Sequence, residues 1–185
     1  AIDWEHGPGV LLDLSTVYSN LEALPLVMMA ATHWLAAALR GRTDRQAVQV
    51  IDEAWAAVAH GAEYFQSSLK LARAHGVATV LVVHRPSDLV AQSDDGSATA
   101  KIAAGLLSDI QTRVLLSQPS EQIDEAAQLF DLSERERLWL GVLPKGRAIW
   151  RVGSRVAVVQ NVLSPGEQLL FDSDAGMRGT GHGRR

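Results

Sequence analysis

Two short stretches of sequence decide the fold, AVQVIDE at residues 47–53 and VATVLVVH at residues 77–84. Each is a run of mostly β-branched or apolar residues that ends in polar side chains, which predicts a strand. The second run is nearly continuous in its apolar character, as is typical of strands buried on both faces of a parallel sheet. Residues 53–75 lie between them and repeat apolar side chains every three or four positions, which predicts a long helix closed by Gly76.

The same alternation continues on both sides of this strand–helix–strand unit. Further strands are predicted at residues 10–14 and 112–116, and a terminal strand pair at 148–152 and 156–162, joined around Gly153 and Ser154. Helices are predicted at 25–40, 98–107 and 120–130 and from Ser133 onward, where Glu136 three residues on completes a capping box. This order predicts an α/β fold with a largely parallel sheet flanked by helices. We expect one domain over residues 1–175, followed by a flexible Gly- and Arg-rich tail at 176–185.

The composition excludes several kinds of protein. The chain has 185 residues, of which 47% are hydrophobic and 21% are charged, enough apolar character for a packed core. No Cys is present, which excludes a disulfide scaffold, a Cys-ligated zinc site and an iron–sulfur cluster. The net charge of −4 does not support DNA binding, although a basic pore lining could exist on an acidic protein. The most apolar stretch, residues 23–39, is too short for the roughly 20 residues of a membrane span.

An acidic pair follows the first of the two deciding strands. In open α/β sheets ligands bind at the carboxyl ends of the strands, so Asp52 and Glu53 are candidate site residues. An apolar strand ending in Asp-Glu is the Walker B arrangement, in which one carboxylate holds Mg²⁺ and the other polarises a water for attack on a γ-phosphate. The alternative is a plain helix N-terminus, with Asp52 as its cap and Glu53 as a first-turn acid.

Two further candidates flank the second deciding strand. His84 follows it directly and could sense a γ-phosphate or orient the attacking water, or it could be an ordinary loop residue before a turn. Arg73 lies near the predicted helix end, where the helix dipole alone favours a cation. The alternative for Arg73 is an arginine finger that reaches the phosphates of a neighbouring subunit.

Taken in order, these motifs resemble the HerA–FtsK superfamily of P-loop ATPases, and most closely the type IV secretion and conjugation ATPases. Those proteins carry an Asp-Glu-Ala-Trp-like Walker B segment, an Arg-Lys-x-Gly-like helix end and a Gln-Arg-Pro-Ser-like segment. The matching segments here are residues 52–55, 73–76 and 84–87. The likeness continues at 112–116, which would be the next core strand, and at 143–148 and 163–167. The resemblance covers residues 8 to 175, and His84 stands where the family usually has Gln.

The resemblance implies a RecA-like P-loop NTPase core that binds ATP and Mg²⁺. Asp52 would hold the metal, Glu53 would activate water, His84 would contact the γ-phosphate and Arg73 would be the inter-subunit finger. Arg85 and Arg147 would add contacts to the nucleotide. The family likeness further implies a homo-oligomeric ring that works with secretion or conjugation machinery. It also implies a cytoplasmic location, which could be at the inner face of the membrane.

The sequence contains no Walker A segment, the loop that binds the phosphates of the nucleotide in P-loop ATPases. None of the three Lys residues stands in a Gly-x-x-x-x-Gly-Lys-Ser/Thr segment, whose backbone and Lys would hold the phosphates. The chain is therefore expected to be the C-terminal part of a motor domain, lacking the first strand and the P-loop, and inactive as an ATPase by itself. The alternative is a degenerate motor domain that does not hydrolyse ATP and acts as a scaffold or assembly subunit.

Overall fold

A computed structural model describes residues 9–20, 22–39, 46–55, 66–67, 69–70, 72, 74, 76–85 and 105–171. Its contacts divide the chain into two compact units. Unit 1 runs through residue 110 and includes residues 128–130, and unit 2 comprises residues 111–127 and those from 131 onward. The prediction of one domain over residues 1–175 stays a prediction, and the tail at 176–185 lies outside the described residues.

The described helices and strands alternate along the chain. In chain order they are α1 (Ala23–Leu39), β1 (Ala47–Ile51), β2 (Val77–Leu81), β3 (Thr112–Leu115), α2 (Ser120–Leu129), α3 (Glu134–Val142), β4 (Arg147–Val152), β5 (Arg155–Gln160) and α4 (Pro165–Phe171). Residues 105–109 are also helical, as are the described positions between 54 and 74.

Unit 1 is built on the parallel pair of β1 and β2. Ala47 lies opposite Val77 and Ile51 opposite Leu81, so the two strands run in the same direction with their carboxyl ends level. Two backbone hydrogen bonds extend the pairing: Val82 N–H donates to the Ile51 carbonyl at 2.9 Å, and Ala54 N–H donates to the Val82 carbonyl at 3.2 Å. The residues that follow the strands are therefore held at one edge of the sheet.

Helix α1 covers this pair through a small apolar core. Its N-terminus is capped by Asn20, whose Oδ1 accepts hydrogen bonds from the backbone N–H groups of Glu22 and Ala23. The core cluster consists of Leu24, Met28, Ile51, Ala54 and Leu106, all at most 9% exposed. The packing of α1 against the end of β1 fixes the start of the loop that carries the acidic pair.

Two predictions for unit 1 differ from the structure. Residues 10–14 do not form a strand, because no described strand pairs with them and Asp13 turns the chain by accepting a hydrogen bond from Ser15 N–H at 2.9 Å. The stretch at 77–83 is not buried on both faces, since Val80 is 46% exposed and its neighbours Val48 and Val50 are 68% and 63% exposed. Among the described residues no element covers that face.

Unit 2 is built on a three-stranded antiparallel sheet in the order β3-β4-β5. The β4–β5 hairpin turns at Gly153 and Ser154, as the sequence predicted. Gly153 has φ of 57° and Ser154 does not have a positive φ, the pattern of a type II′ turn. Such a turn needs a residue without a side chain at its first central position.

Helix α3 packs against β4 and closes the core of unit 2. Its predicted capping box is present: Ser133 Oγ accepts a hydrogen bond from Glu136 N–H, and the Glu136 carboxylate accepts from Ser133 N–H. Leu140 and Ile149 are the two largest fully buried side chains of the described residues. Helix α4 was not predicted, although Ser164 and Glu167 form the same box at its start.

The fold class agrees with the prediction. The chain is a mixed α/β protein with a parallel sheet and helices, consistent with part of a RecA-like core. Helix α1 and strands β1 to β5 lie within one to two residues of most of their predicted bounds. The predicted helix at 53–75 lies largely outside the described residues, as do residues 98–104 of the helix predicted at 98–107.

Candidate functional site

The candidate site lies at the carboxyl ends of β1 and β2. Asp52 and Glu53 follow β1 directly, and His84 comes three residues after the end of β2. Because the two strands are parallel and in register, the turns that leave them begin side by side. This is the edge at which open α/β sheets bind ligands.

The distances bring three of the predicted site residues together. His84 Nε2 lies 3.3 Å from Glu53 Oε1 and 3.9 Å from Asp52 Oδ1. The side chains of His84 and Asp52 are 64% and 70% exposed, whereas that of Glu53 is 26% exposed. The Glu53 carboxylate is therefore partly shielded from solvent, whereas the side chains of Asp52 and His84 are accessible to a ligand.

Glu53 has an unusual backbone conformation. Its φ is 53°, in the left-handed region that side-chain-bearing residues rarely adopt, and the only other described non-glycine residue with a positive φ is Asp131. Asp52 supports this turn, because its Oδ1 accepts a hydrogen bond from Glu53 N–H at 3.0 Å. A strained backbone of this kind costs about 1–3 kcal/mol and is found most often at functional sites.

These details argue against the plain helix N-terminus considered for Asp52 and Glu53. An N-cap side chain accepts from the second or third N–H of the helix, whereas Asp52 accepts from the residue next to it. A first-turn acid has helical backbone angles, and Glu53 does not. Helical structure begins only at Ala54, so the acidic pair forms a turn at the end of β1.

A fourth residue, Trp55, joins the site; the sequence marks it as an apolar position of the predicted helix and as the last residue of the Asp-Glu-Ala-Trp-like segment. Trp55 packs against the core cluster of unit 1, and its indole Nε1–H donates a hydrogen bond to Glu53 Oε2 at 2.5 Å. The spacing of apolar residues correctly indicated the packing. It could not indicate the hydrogen bond, which depends on the left-handed turn at Glu53.

The remaining predicted site residues are not brought to the cluster by any described contact. Arg85 is exposed beside His84. Arg147 lies in unit 2, where its Nε–H donates to Gln160 Oε1 across the β4–β5 hairpin at 2.6 Å. Arg73 lies outside the described residues. The roles of all three stay predictions.

Asp52 and Glu53 offer the carboxylate oxygens that Mg²⁺ prefers as ligands, but they do not form a complete magnesium site by themselves. Mg²⁺ takes oxygen ligands and usually keeps several waters, binding through one or two carboxylates together with substrate phosphates. The exposed Asp52 carboxylate fits that pattern. No group of three or more His, Asp or Glu side chains among the described residues is arranged to hold a metal by itself.

A solved structure shares this fold. It is that of VirB4 of Thermoanaerobacter pseudethanolicus, which superposes with a TM-score of 0.73 at 16% sequence identity. The match covers 85% of this chain and 42% of that one, so this sequence spans less than half of the VirB4 chain. At this identity the likeness shows the fold alone.

Comparison of the amino-acid sequence with protein families and with curated proteins identifies no relative. No family model matches the chain, and no curated protein matches it. Within the described residues, no helix combines the length and hydropathy needed to cross a bilayer.

Proposed function

We propose that this chain is part of an ATP-hydrolysing motor domain related to the ATPases that power secretion and conjugation. The observation that carries the proposal is the convergence of Asp52, Glu53 and His84 at the carboxyl ends of two parallel strands. The fold shared with VirB4 supports it, because the motif order of the sequence points to the same group of proteins.

Each residue of the cluster has a chemical role in this proposal. Glu53, sheltered and held by Trp55, polarises the attacking water through the carboxylate oxygen that faces His84. Asp52, which is exposed, holds Mg²⁺ directly or through water. His84 donates a hydrogen bond towards the γ-phosphate, where negative charge is greatest. Bound Mg²⁺ supplies charge neutralisation at the phosphates.

The wider assignments belong to the same proposal. ATP is bound between subunits of a homo-oligomeric ring, and Arg73 of a neighbouring subunit stabilises charge in the transition state. Arg85 and Arg147 contribute contacts to the nucleotide. The protein works with secretion or conjugation machinery at the inner face of the membrane, moving protein or DNA.

The test is ATP turnover by the protein expressed from its complete coding region, because these 185 residues contain no Walker A segment. Glu53→Gln is expected to lower kcat by about 100-fold or more, the usual contribution of a general base, while ATP binding persists. Glu22→Gln is the matched control, since Glu22 is an exposed acid in the same unit, at the start of α1. It is expected to leave both quantities unchanged.

Two results would contradict the proposal. One is full turnover in the Glu53→Gln protein, which would remove Glu53 from the reaction. The other is a wild-type protein that neither binds nor hydrolyses ATP, which would favour a degenerate motor domain acting as a scaffold or assembly subunit. Binding of ATP to the wild-type protein, measured by calorimetry with Mg²⁺, separates these two cases.

A further inference from the structure

We propose that Trp55 is a positioning residue for Glu53, an inference that rests on the proposed function of the site. Its indole N–H donates to Glu53 Oε2 at 2.5 Å, while the other carboxylate oxygen, Oε1, lies 3.3 Å from His84 Nε2. The carboxylate is thus held from one side by the indole and faces the imidazole on the other. Oε2 is held in place by the indole, and Oε1 is the oxygen that can act on the attacking water.

The indole can act as a fixed reference point because its own position is anchored. Trp55 packs against the core cluster of unit 1 and is partly buried. The preceding residue, Ala54, is fully buried, and its N–H donates to the Val82 carbonyl beyond the end of β2. Hence the segment that carries the indole is tied both to the core and to the neighbouring strand end.

Glu53 needs such a support more than an ordinary surface acid does. Its backbone is in the left-handed region, so the surrounding structure must maintain the turn. A Glu side chain also loses considerable rotamer freedom when it is held in one orientation. The indole offers only a donor, so it binds a carboxylate oxygen and leaves no competing acceptor beside it.

A spectroscopic measurement tests the hydrogen bond without reference to activity. The chain contains five Trp residues, and Trp55→Phe identifies the indole resonance of Trp55 in the ¹⁵N-labelled full-length protein by its loss. Glu53→Ala removes the acceptor and is expected to move the Trp55 indole proton upfield, further than those of the other Trp residues. An unmoved Trp55 resonance in the Glu53→Ala protein would overturn the inference.

A kinetic measurement tests the consequence for turnover. Trp55→Phe keeps an aromatic ring in the core but removes the N–H, and it is expected to lower kcat about 10- to 100-fold with little change in KM for ATP, as for loss of a hydrogen bond to a charged group. Trp139→Phe is the matched control, because Trp139 stacks with Arg135 on α3 in unit 2. It should leave kcat and KM unchanged.

The two measurements also separate this inference from the proposed function. If Trp55→Phe retains full kcat while Glu53→Gln is inactive, the positioning role is wrong and the ATPase assignment stands. If the Trp55 resonance moves but Glu53→Gln retains full turnover, the hydrogen bond exists and the role of Glu53 in the proposed reaction fails. Should Trp55→Phe unfold, the indole resonance of Trp55 is assigned through its own backbone amide instead, and its shift in the Glu53→Ala protein still decides whether the indole binds the carboxylate.

Discussion

His84 is the residue at which this chain departs from the family it resembles, which usually has Gln at that position. Both side chains can donate a hydrogen bond from a nitrogen at a comparable distance from the backbone. The contact of His84 Nε2 with Glu53 Oε1 at 3.3 Å lies on the side of the carboxylate that Trp55 leaves free. We propose that the site requires a hydrogen-bond donor at that place and not the imidazole ring itself.

This interpretation predicts different effects for two substitutions of His84. His84→Gln is expected to keep kcat within about threefold of wild type, whereas His84→Ala lowers it about 10- to 100-fold through loss of a donor near the phosphate. Steady-state turnover at saturating ATP measures both. Equal losses in the two variants would show that the imidazole ring, and not its capacity to donate, is needed.

The three residues of the cluster could be predicted from the sequence because the carboxyl ends of parallel strands lie at one edge of the sheet, where open α/β proteins bind their ligands. Asp52, Glu53 and His84 each follow an apolar run, and parallel pairing brings such residues to one edge. The left-handed turn at Glu53 could not be predicted, since no Gly or Asn marks it. The bond from Trp55 depends on that turn and was missed with it.

At the scale of the elements, the capping boxes show what local sequence can and cannot indicate. The Ser133–Glu136 pair was recognised as the start of α3, and the structure has both of its hydrogen bonds. The Ser164–Glu167 pair has the same spacing, followed by the Pro165 that favours a first helical turn, yet the segment was assigned only by its family likeness. The sequence signal for α4 was therefore present.

Which strands pair, and in which direction, is the part of the fold that composition and periodicity of the sequence predict least well. The run at residues 10–14 has strand-like composition but remains without a described partner, and composition alone cannot supply one. β3 was expected as the next core strand, and it pairs antiparallel with β4. A strand's direction relative to its neighbour depends on long-range packing that single-sequence periodicity does not record.

The capping box of α3 also predicts how stability depends on pH. Burial raises the pKa of the Glu136 carboxyl, but hydrogen bonds from Ser133 and the charge of Arg151 outweigh this effect, so the pKa lies below its ordinary 4.5. The folded state therefore binds this proton less tightly than the unfolded chain does. Its contribution to stability is fully present above about pH 4.5 and is lost as the pH falls through the lower folded-state pKa.

Urea denaturation of wild type and Glu136→Gln measures this effect. The wild-type protein is expected to be the more stable at neutral pH, and the difference should shrink between about pH 5 and pH 3 as the carboxylate is protonated. Glu134→Gln is the control, an exposed acid on the same helix. A difference between wild type and Glu136→Gln that stays constant over this range would contradict the role given to Glu136.

At the scale of the whole molecule, one fold is shared with VirB4 over 85% of this chain but only 42% of that one. Valine side chains on β1 and β2 are exposed, as are three large apolar residues at the end of α4, Leu169, Leu170 and Phe171. Exposed apolar side chains that lie side by side, such as the valines of β1 and β2, are a feature of surfaces that bind a partner. This exposure agrees with the expectation that this sequence works as part of a larger assembly.

The central claim is that Glu53 and His84 act on one bound triphosphate, and a double-mutant cycle in the full-length protein tests it most directly. Single-turnover hydrolysis is measured for wild type, Glu53→Gln, His84→Ala and the double variant. Residues that act as a unit are strongly non-additive, so the double variant is expected to be about as slow as Glu53→Gln alone. A double variant slowed by the product of the two single effects, or a wild type without hydrolysis, would contradict the claim.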